Sequence, residues 1–168
     1  MTPEPAFKLV DPALARARAG QLYEVMHRSL AEILPPTADV RHIGATAIPG
    51  CLTKGDLDIV IRVPAADFSS ADAALAARFA RNEGSIRTPT FSAFEDLSRD
   101  PHVGLQLAAI DSRDDVFHLF VEALRGSLPL VNEYNGLKRR HDGADMGLYR
   151  AAKDAFVERV LGELSRRQ

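Results

Sequence analysis

The stretch Val40-Arg41-His42-Ile43-Gly44-Ala45-Thr46-Ala47-Ile48-Pro49-Gly50, followed after Cys51-Leu52-Thr53 by Lys54-Gly55-Asp56-Leu57-Asp58-Ile59-Val60, decides the reading of this chain. Asp56 and Asp58 flank Leu57 inside an apolar run that continues to Val63, and residues two apart on a strand point to the same face. Two carboxylates so placed lie about 7 Å apart at Cβ. At an effective dielectric of about 20 they repel by roughly 2 kcal/mol. A divalent cation relieves that repulsion, and hard oxygen ligands of this kind suit Mg²⁺ or Mn²⁺, with substrate phosphates completing the shell.

The turn upstream supplies groups that can meet phosphate. Gly44 lets backbone N–H groups approach an anion because it has no Cβ, Ala45 adds a further amide, and Thr46 adds a hydroxyl. The bland reading is a tight turn in which glycine only permits a positive φ. His42 either hydrogen-bonds phosphate or braces the loop, and Lys54, on the approach to the acidic strand, is either a phosphate contact or a solvated surface cation.

This ordering resembles the nucleotidyltransferase superfamily: a hydrophobic residue, Gly and a small residue, then acid-hydrophobic-acid-hydrophobic about ten residues on. Here these are Ile43-Gly44-Ala45 and Asp56-Leu57-Asp58-Ile59. Within it, the chain is most similar to the GrpB family, with its His-Ile-Gly-Ser-Thr-like motif and a Lys before the acidic strand. His118-Leu119-Phe120-Val121 looks like the family's His-Leu-His-Val strand, Tyr134-Asn135-Gly136-Leu137-Lys138 like its Tyr-x-x-Leu-Lys helix, and Tyr149-x-x-x-Lys153-x-x-Phe156-Val157 like its last helix. The resemblance spans about residues 38 to 160. Ala45 stands where most members have Ser, Phe120 replaces the second His, and Asp56 occupies a place that is apolar in many members. The resemblance implies a metal-dependent site that binds a nucleoside triphosphate (NTP).

With 168 residues the chain suits one domain, 1–168, with a real core. Apolar residues make up 46% and charged residues 26%, and the net charge of −2 gives no overall attraction to nucleic acid. Cys51 is the only cysteine, which excludes an intrachain disulfide framework and a Cys-based zinc site. The Pro-rich start has no apolar signal-peptide core, and no stretch approaches the ~20 apolar residues of a membrane span, so the expectation is a soluble, cytoplasmic protein with no membrane partner. The glycine turn lacks the Gly-Lys-Ser/Thr ending of a P-loop, and the histidines lack zinc-hydrolase spacing.

Along the chain, Asp11-Pro12 opens a helix with Leu14, Leu22, Val25, Met26, Leu30 and Ile33 as its apolar face, closed by Pro35-Pro36. A short strand at 39–43, the acidic strand at 56–63 and a helix from Ala71 to Arg81 follow. Residues 86–100 read as a short strand, Ile86 to Phe91, and a loop containing Glu95, Asp96 and Asp100. Val103–Ile110 and Val116–Glu122 read as a hairpin across the charged, solvated turn holding Asp111, Asp114 and Asp115. Two helices, 128–141 and 145–164, close the chain, the second with Leu148, Ala152, Ala155, Phe156, Val160 and Leu164 as its packing stripe.

The strand phase at 116–122 puts His118 and Glu122 on the face that would meet Asp56 and Asp58, making Glu122 the candidate third acid and His118 a companion in catalysis. Tyr134 with Lys138, and Tyr149 with Lys153, are i,i+4 pairs that can stack a base and bind phosphate or snorkel over a core. The expected fold is α/β (α+β), nucleotidyltransferase-like: a short mixed sheet packed by helices, two of them C-terminal. The expected function is nucleotidyl transfer from Mg-NTP to an unknown acceptor. A non-catalytic nucleotide- or metal-binding module is the alternative, and a purely structural interaction protein a third.

Overall fold

The computed structural model describes residues 3–168. A 20-residue helix, α1 (Pro12–Ala31), leads into β1 (Asp39–Ile43), a single 3₁₀ turn at Ala45–Ala47 and β2 (Leu57–Val63). Then come α2 (Phe68–Ala76), β3 (Ala80–Arg81), β4 (Phe91–Asp96), β5 (Val103–Ala109), α3 (Phe117–Arg125), α4 (Leu128–His141) and α5 (Met146–Arg166). The Asp11 side chain accepts from Leu14 N at 2.7 Å and Pro12 takes the first helical position, so α1 starts where its capping residues dictate.

The five strands form one mixed sheet in the order β1-β2-β5-β4-β3. β2 runs parallel to β5, while β1–β2, β5–β4 and β4–β3 are antiparallel. Two cores follow from the pleat. Leu57, Ile59, Ile61 and Val63 of β2, with Leu105 and Leu107 of β5, pack against Met26 and Leu30 of α1 and Phe68 and Leu75 of α2. Val60, on the opposite pleat, packs with Phe120, Val121 and Leu124 of α3, Val131 and Leu137 of α4 and Phe156 and Val160 of α5. Burying each large aliphatic side chain contributes about 1.5–3 kcal/mol. Helices therefore cover both faces, which is why β2 reads as a nearly unbroken apolar run.

Two polar residues interrupt that run on the α3–α5 face, Asp58 and Arg62. Arg62 is satisfied locally: it donates to both Asp115 oxygens at 2.6 and 2.7 Å and to Asp39 Oδ2 at 2.8 Å. Among the described residues Asp58 has no such ion pair. It lies in register with Gly104 on β5.

Several expectations are corrected. Residues 116–122 are not the second strand of a hairpin. They enter helix α3, because Phe117, Phe120, Val121 and Leu124 follow the i, i+3, i+4, i+7 pattern, which over so short a stretch is degenerate with alternation. The strand that pairs antiparallel with β5 is β4, whose Glu95 and Asp96 are strand and not loop residues. Asp115 is buried against Arg62, and is not a solvated turn residue. The helix predicted to reach Arg81 stops at Ala76, and Arg81 joins the edge strand β3, where it donates to both oxygens of the buried Asp72. Leu14, Val25 and Leu148 point to solvent; the buried stripes run through Ala15, Ala19, Met26 and Leu30 on α1, and through Tyr149, Phe156 and Val160 on α5.

Candidate functional site

The cleft that contains the acidic strand opens between the sheet and α3–α5, with a volume of about 330 Å³. Asp58 forms part of its lining. Its carboxylate sits between two glycines. A Cβ on Gly44 would come within 2.7 Å of Asp58 Oδ2, and one on Gly104 within 2.8 Å of Oδ1. Gly44 is doubly required, since its φ of +74° lies in the left-handed region. Burial pushes the Asp58 carboxyl above its ordinary range; Lys153 and Lys54 pull it down and Asp56 pushes it further up.

Asp56 lies just before β2 and lines the same cleft. Its Oδ2 meets Lys54 Nζ at 2.6 Å and His102 Nδ1 at 3.8 Å, and the other side of that ring, Nε2, is 3.3 Å from Glu95 Oε2. Lys153 also lines the cleft, and among the described residues no carboxylate lies within ion-pair distance of it. The cleft thus joins three acids, Asp56, Asp58 and Asp154, to cationic side chains, a composition that suits a ligand carrying phosphates.

The loop between the strands is held from several directions. His42 Nε2 lies 2.8 Å from Thr46 Oγ1, which donates to the Asp56 carbonyl at 3.1 Å. Since Thr46 spends its one hydroxyl hydrogen there, the His42 Nε2–H must be the donor to it. Burial holds the His42 pKa down at about 4, so the ring is neutral near pH 7. Arg125 of α3 donates twice to the Ala47 carbonyl, at 3.0 and 2.8 Å. Asn135 of α4 accepts from Leu52 N and donates to Gly50 O, both at 2.8 Å.

The remaining walls are aromatic and apolar. Phe7 stacks on Tyr149 with centroids 3.7 Å apart, and Tyr134, Phe117, Phe120 and Val157 also line the cleft. Burial raises the Tyr149 phenol to about 12. Lys138 is buried, donates to Leu52 O at 2.5 Å and lies 4.1 Å from the Tyr134 ring centroid; burial lowers its pKa to about 8.

Of the residues singled out from sequence, Gly44, Ala45, Lys54, Asp56, Asp58, Lys138, Tyr149 and Lys153 converge on this one cleft. His42 and Thr46 are braces behind the loop. Glu122 and His118 do not reach the cleft. They lie on the other side of α3, in a groove beside β1, where Glu122 Oε1 accepts from Arg41 at 3.1 Å and His118 Nδ1 is 3.6 Å from Asp115 Oδ1. The strand that runs parallel to the acidic strand is β5, and its site face carries Gly104 and Gln106 in place of the expected His118 and Glu122. Sequence reasoning missed Gln106, Gly104, His102 and Glu95; each becomes visible only through the register of β2, β5 and β4, which places Glu95, Gly104 and Asp58 in one row. Among the described residues no group of three or more His, Cys, Asp or Glu side chains forms a metal cage.

The whole fold matches the crystal structure of the conserved protein GrpB from Enterococcus faecalis, with a TM-score of 0.69, 18% identity, and coverage of 95% of this chain and 97% of that one. A cytoplasmic RNA terminal U-transferase shares the fold at a TM-score of 0.50 and 14% identity, over 79% of this chain and 38% of the transferase. By sequence, the chain is 35% identical over 149 residues to a UPF0157 protein of Vibrio cholerae, covering 88% of this chain and 78% of the relative. It is 31% identical over 152 residues to a UPF0157 protein of Streptomyces coelicolor, covering 89% and 71%. Residues 15–163 match the GrpB protein family, so this chain, with its nucleotidyltransferase-like fold, belongs to the GrpB family.

Proposed function

We propose that the cleft binds a nucleoside triphosphate with a divalent cation and transfers its nucleotidyl group to an acceptor hydroxyl or phosphate. The observation that carries this reading is the Asp58 carboxylate, sunk between Gly44 and Gly104 and facing a cleft shared with Asp56 and Lys153. A half-buried acid of raised pKa is costly to an empty fold, and its retention on a glycine-cleared floor makes sense where a cation meets it. The Asp56 and Asp58 carboxylates fit Mg²⁺ or Mn²⁺, which take their other ligands from phosphate and water.

Asp56 and Asp58 would hold the cation, which when bound neutralises phosphate charge and favours attack at phosphorus. Lys153 faces the phosphates as a cation without a fixed partner. Lys54, now paired with Asp56, is free to turn to phosphate once that acid is otherwise engaged. Gly44 and Ala45 bring backbone to the same place. The loop is fixed beforehand by Arg125, Asn135 and the His42–Thr46 brace, so little ordering is left to the moment of binding. The fold shared with a terminal U-transferase agrees with this chemistry.

A second reading, binding without turnover, is favoured by one observation: the β5 residue nearest Asp58 on the site face that bears a polar side chain is the neutral Gln106, and Glu122 lies outside the cleft. One experiment addresses both. Thermal stability is measured for wild type and Asp58→Asn across the four NTPs, with and without Mg²⁺, followed by pyrophosphate release with candidate acceptors. Ligand at 100 times its Kd stabilises by about 2.7 kcal/mol. A shift that needs Mg²⁺ and NTP and vanishes in Asp58→Asn supports the site, and pyrophosphate release separates transfer from binding. No shift with any nucleotide overturns the reading.

A further inference from the structure

We propose that the groove between the start of α1 and the Asp100–His102 segment is the acceptor site, and that it takes a small hydroxyl compound carrying no phosphate, an inference that rests on the NTP reading of the cleft. The groove has a volume of about 220 Å³ and shares two lining residues with the cleft, Lys54 and Asp56. Their 2.6 Å ion pair therefore stands where the two cavities meet. A ligand lodged in the groove and a nucleotide lodged in the cleft come together at Asp56, as a transfer between them requires. The His102 carbonyl accepts from Leu57 N, between the two acids, at 2.9 Å, so the groove wall is tied to the acidic strand.

The side chains of the groove define what it can hold. Val10 and Leu14 line it while 46% and 60% exposed, an apolar flank that a ligand can cover. Asp11, Asp56 and Asp100 outnumber the two cations, and each cation is already paired, Lys54 with Asp56 and Arg18 Nη2 with Asp100 Oδ2 at 2.8 Å. A phosphate-bearing acceptor would meet an excess of acid there and no unpaired cation, whereas a neutral hydroxyl compound meets neither penalty. His102 supplies a polar contact. Its Nδ1 is 3.8 Å from Asp56 Oδ2, too far for a hydrogen bond, and its Nε2 is 3.3 Å from Glu95 Oε2. A carboxylate beside Nε2 favours the tautomer with its hydrogen there, so Nδ1 accepts from the acceptor hydroxyl and holds that oxygen beside Asp56. In the transfer this oxygen forms the new bond to the α-phosphorus with its own electron pair. The bond from that phosphorus to pyrophosphate breaks with its pair going to pyrophosphate, and the hydroxyl proton passes to water in the groove.

The test gives the protein Mg²⁺, an NTP that raises its melting temperature, and compounds matched to differ by one phosphate: glycerol with glycerol 3-phosphate, and glucose with glucose 6-phosphate. A short RNA is tried separately. Pyrophosphate release and product mass are read. At least one unphosphorylated compound should raise release above the rate in water, by about tenfold or more over its phosphorylated twin, and the product should weigh that compound plus the nucleotidyl group. Leu14→Trp, which fills the groove from an exposed position, should abolish this stimulation. Asp100→Lys, which inverts a groove charge by breaking an exposed pair, should narrow the gap between the twins. Both variants should keep the Mg-NTP melting shift, which reports on the cleft. Phosphorylated compounds or RNA serving as well or better in wild type, stimulation by no compound, or stimulation undiminished in Leu14→Trp would each overturn the assignment while the Mg-NTP shift stands. Absence of that shift would remove the NTP reading itself.

Discussion

Gly104 on β5 approaches Asp58 on β2 so closely that a single added carbon would lie 2.8 Å from the carboxylate. Neither residue is fixed by its own strand alone; parallel pairing in register sets the contact. Gly104→Ala must then either push the Asp58 side chain toward Gly44, where it has no room, or spread the strands. The expected cost is about 1–3 kcal/mol of stability, the range of overpacking. Denaturant unfolding measures that cost, and the Mg-NTP stabilisation should weaken with it. A fully stable variant with an unchanged ligand response would show that the carboxylate is not confined.

Asp58→Asn separates stability from binding. Because burial raises the Asp58 pKa above 3.8, the folded state holds the proton more tightly than the unfolded chain does. Stability from this group therefore declines as pH rises from about 3.8 through the raised value, and above that value the group is a cost to the fold. Asn removes that cost without changing the shape. The ligand-free variant should melt higher than wild type at pH 7, each 1 kcal/mol appearing as about 2–4 °C at this chain length. The same variant should lose the Mg²⁺-dependent shift, and equal melting of the two proteins at pH 7 would refute the cost.

How much of this was legible in the sequence depends on which neighbours each residue needs. Gly44, Asp56 and Asp58 are read from one short segment, because strand alternation is a local rule, and they do line one cleft. The two closing helices, expected at 128–141 and 145–164 from their apolar stripes, form at Leu128–His141 and Met146–Arg166. Glu122 falls outside the cleft because Phe117 to Leu124 supports both periods and tertiary packing selects the helix. Gln106 and Gly104 carry no local mark; their roles arise from a strand pairing between segments more than 40 residues apart.

His42 supplies a pH signature of its own. Its pKa falls from 6.5 to about 4 on folding, so neutral His42 contributes stability that is complete above pH 6.5 and is lost as pH drops from 6.5 toward 4. His42→Gln keeps an N–H for Thr46 Oγ1 but cannot titrate. Melting temperatures followed from pH 7 to pH 4 should fall less steeply in the variant than in wild type. Because Asp58 acts in the opposite direction in acid, the informative quantity is the difference between the two proteins at each pH. Parallel curves would mean that the ring is already solvated in the fold.

Lys153 offers the cleanest division between architecture and ligand. It sits one helical turn after Tyr149 on α5, lines the cleft, and has no ion-pair partner among the described residues to lose when it is removed. Lys153→Met keeps the aliphatic stem and deletes only the charge. The fold should survive with a stability change within about 0.5 kcal/mol, while Mg-NTP binding should weaken by about 10- to 100-fold, the loss of a charge-assisted contact to phosphate. Removing Lys153 also withdraws the strongest cation acting on Asp58, so the stability gained on lowering pH should extend to higher pH than in wild type. Titration calorimetry with Mg-NTP reads the first effect, and pH-dependent melting of the ligand-free protein reads the second. Retained nucleotide affinity with a shifted Asp58 signature would place Lys153 beside the acid but away from the phosphates.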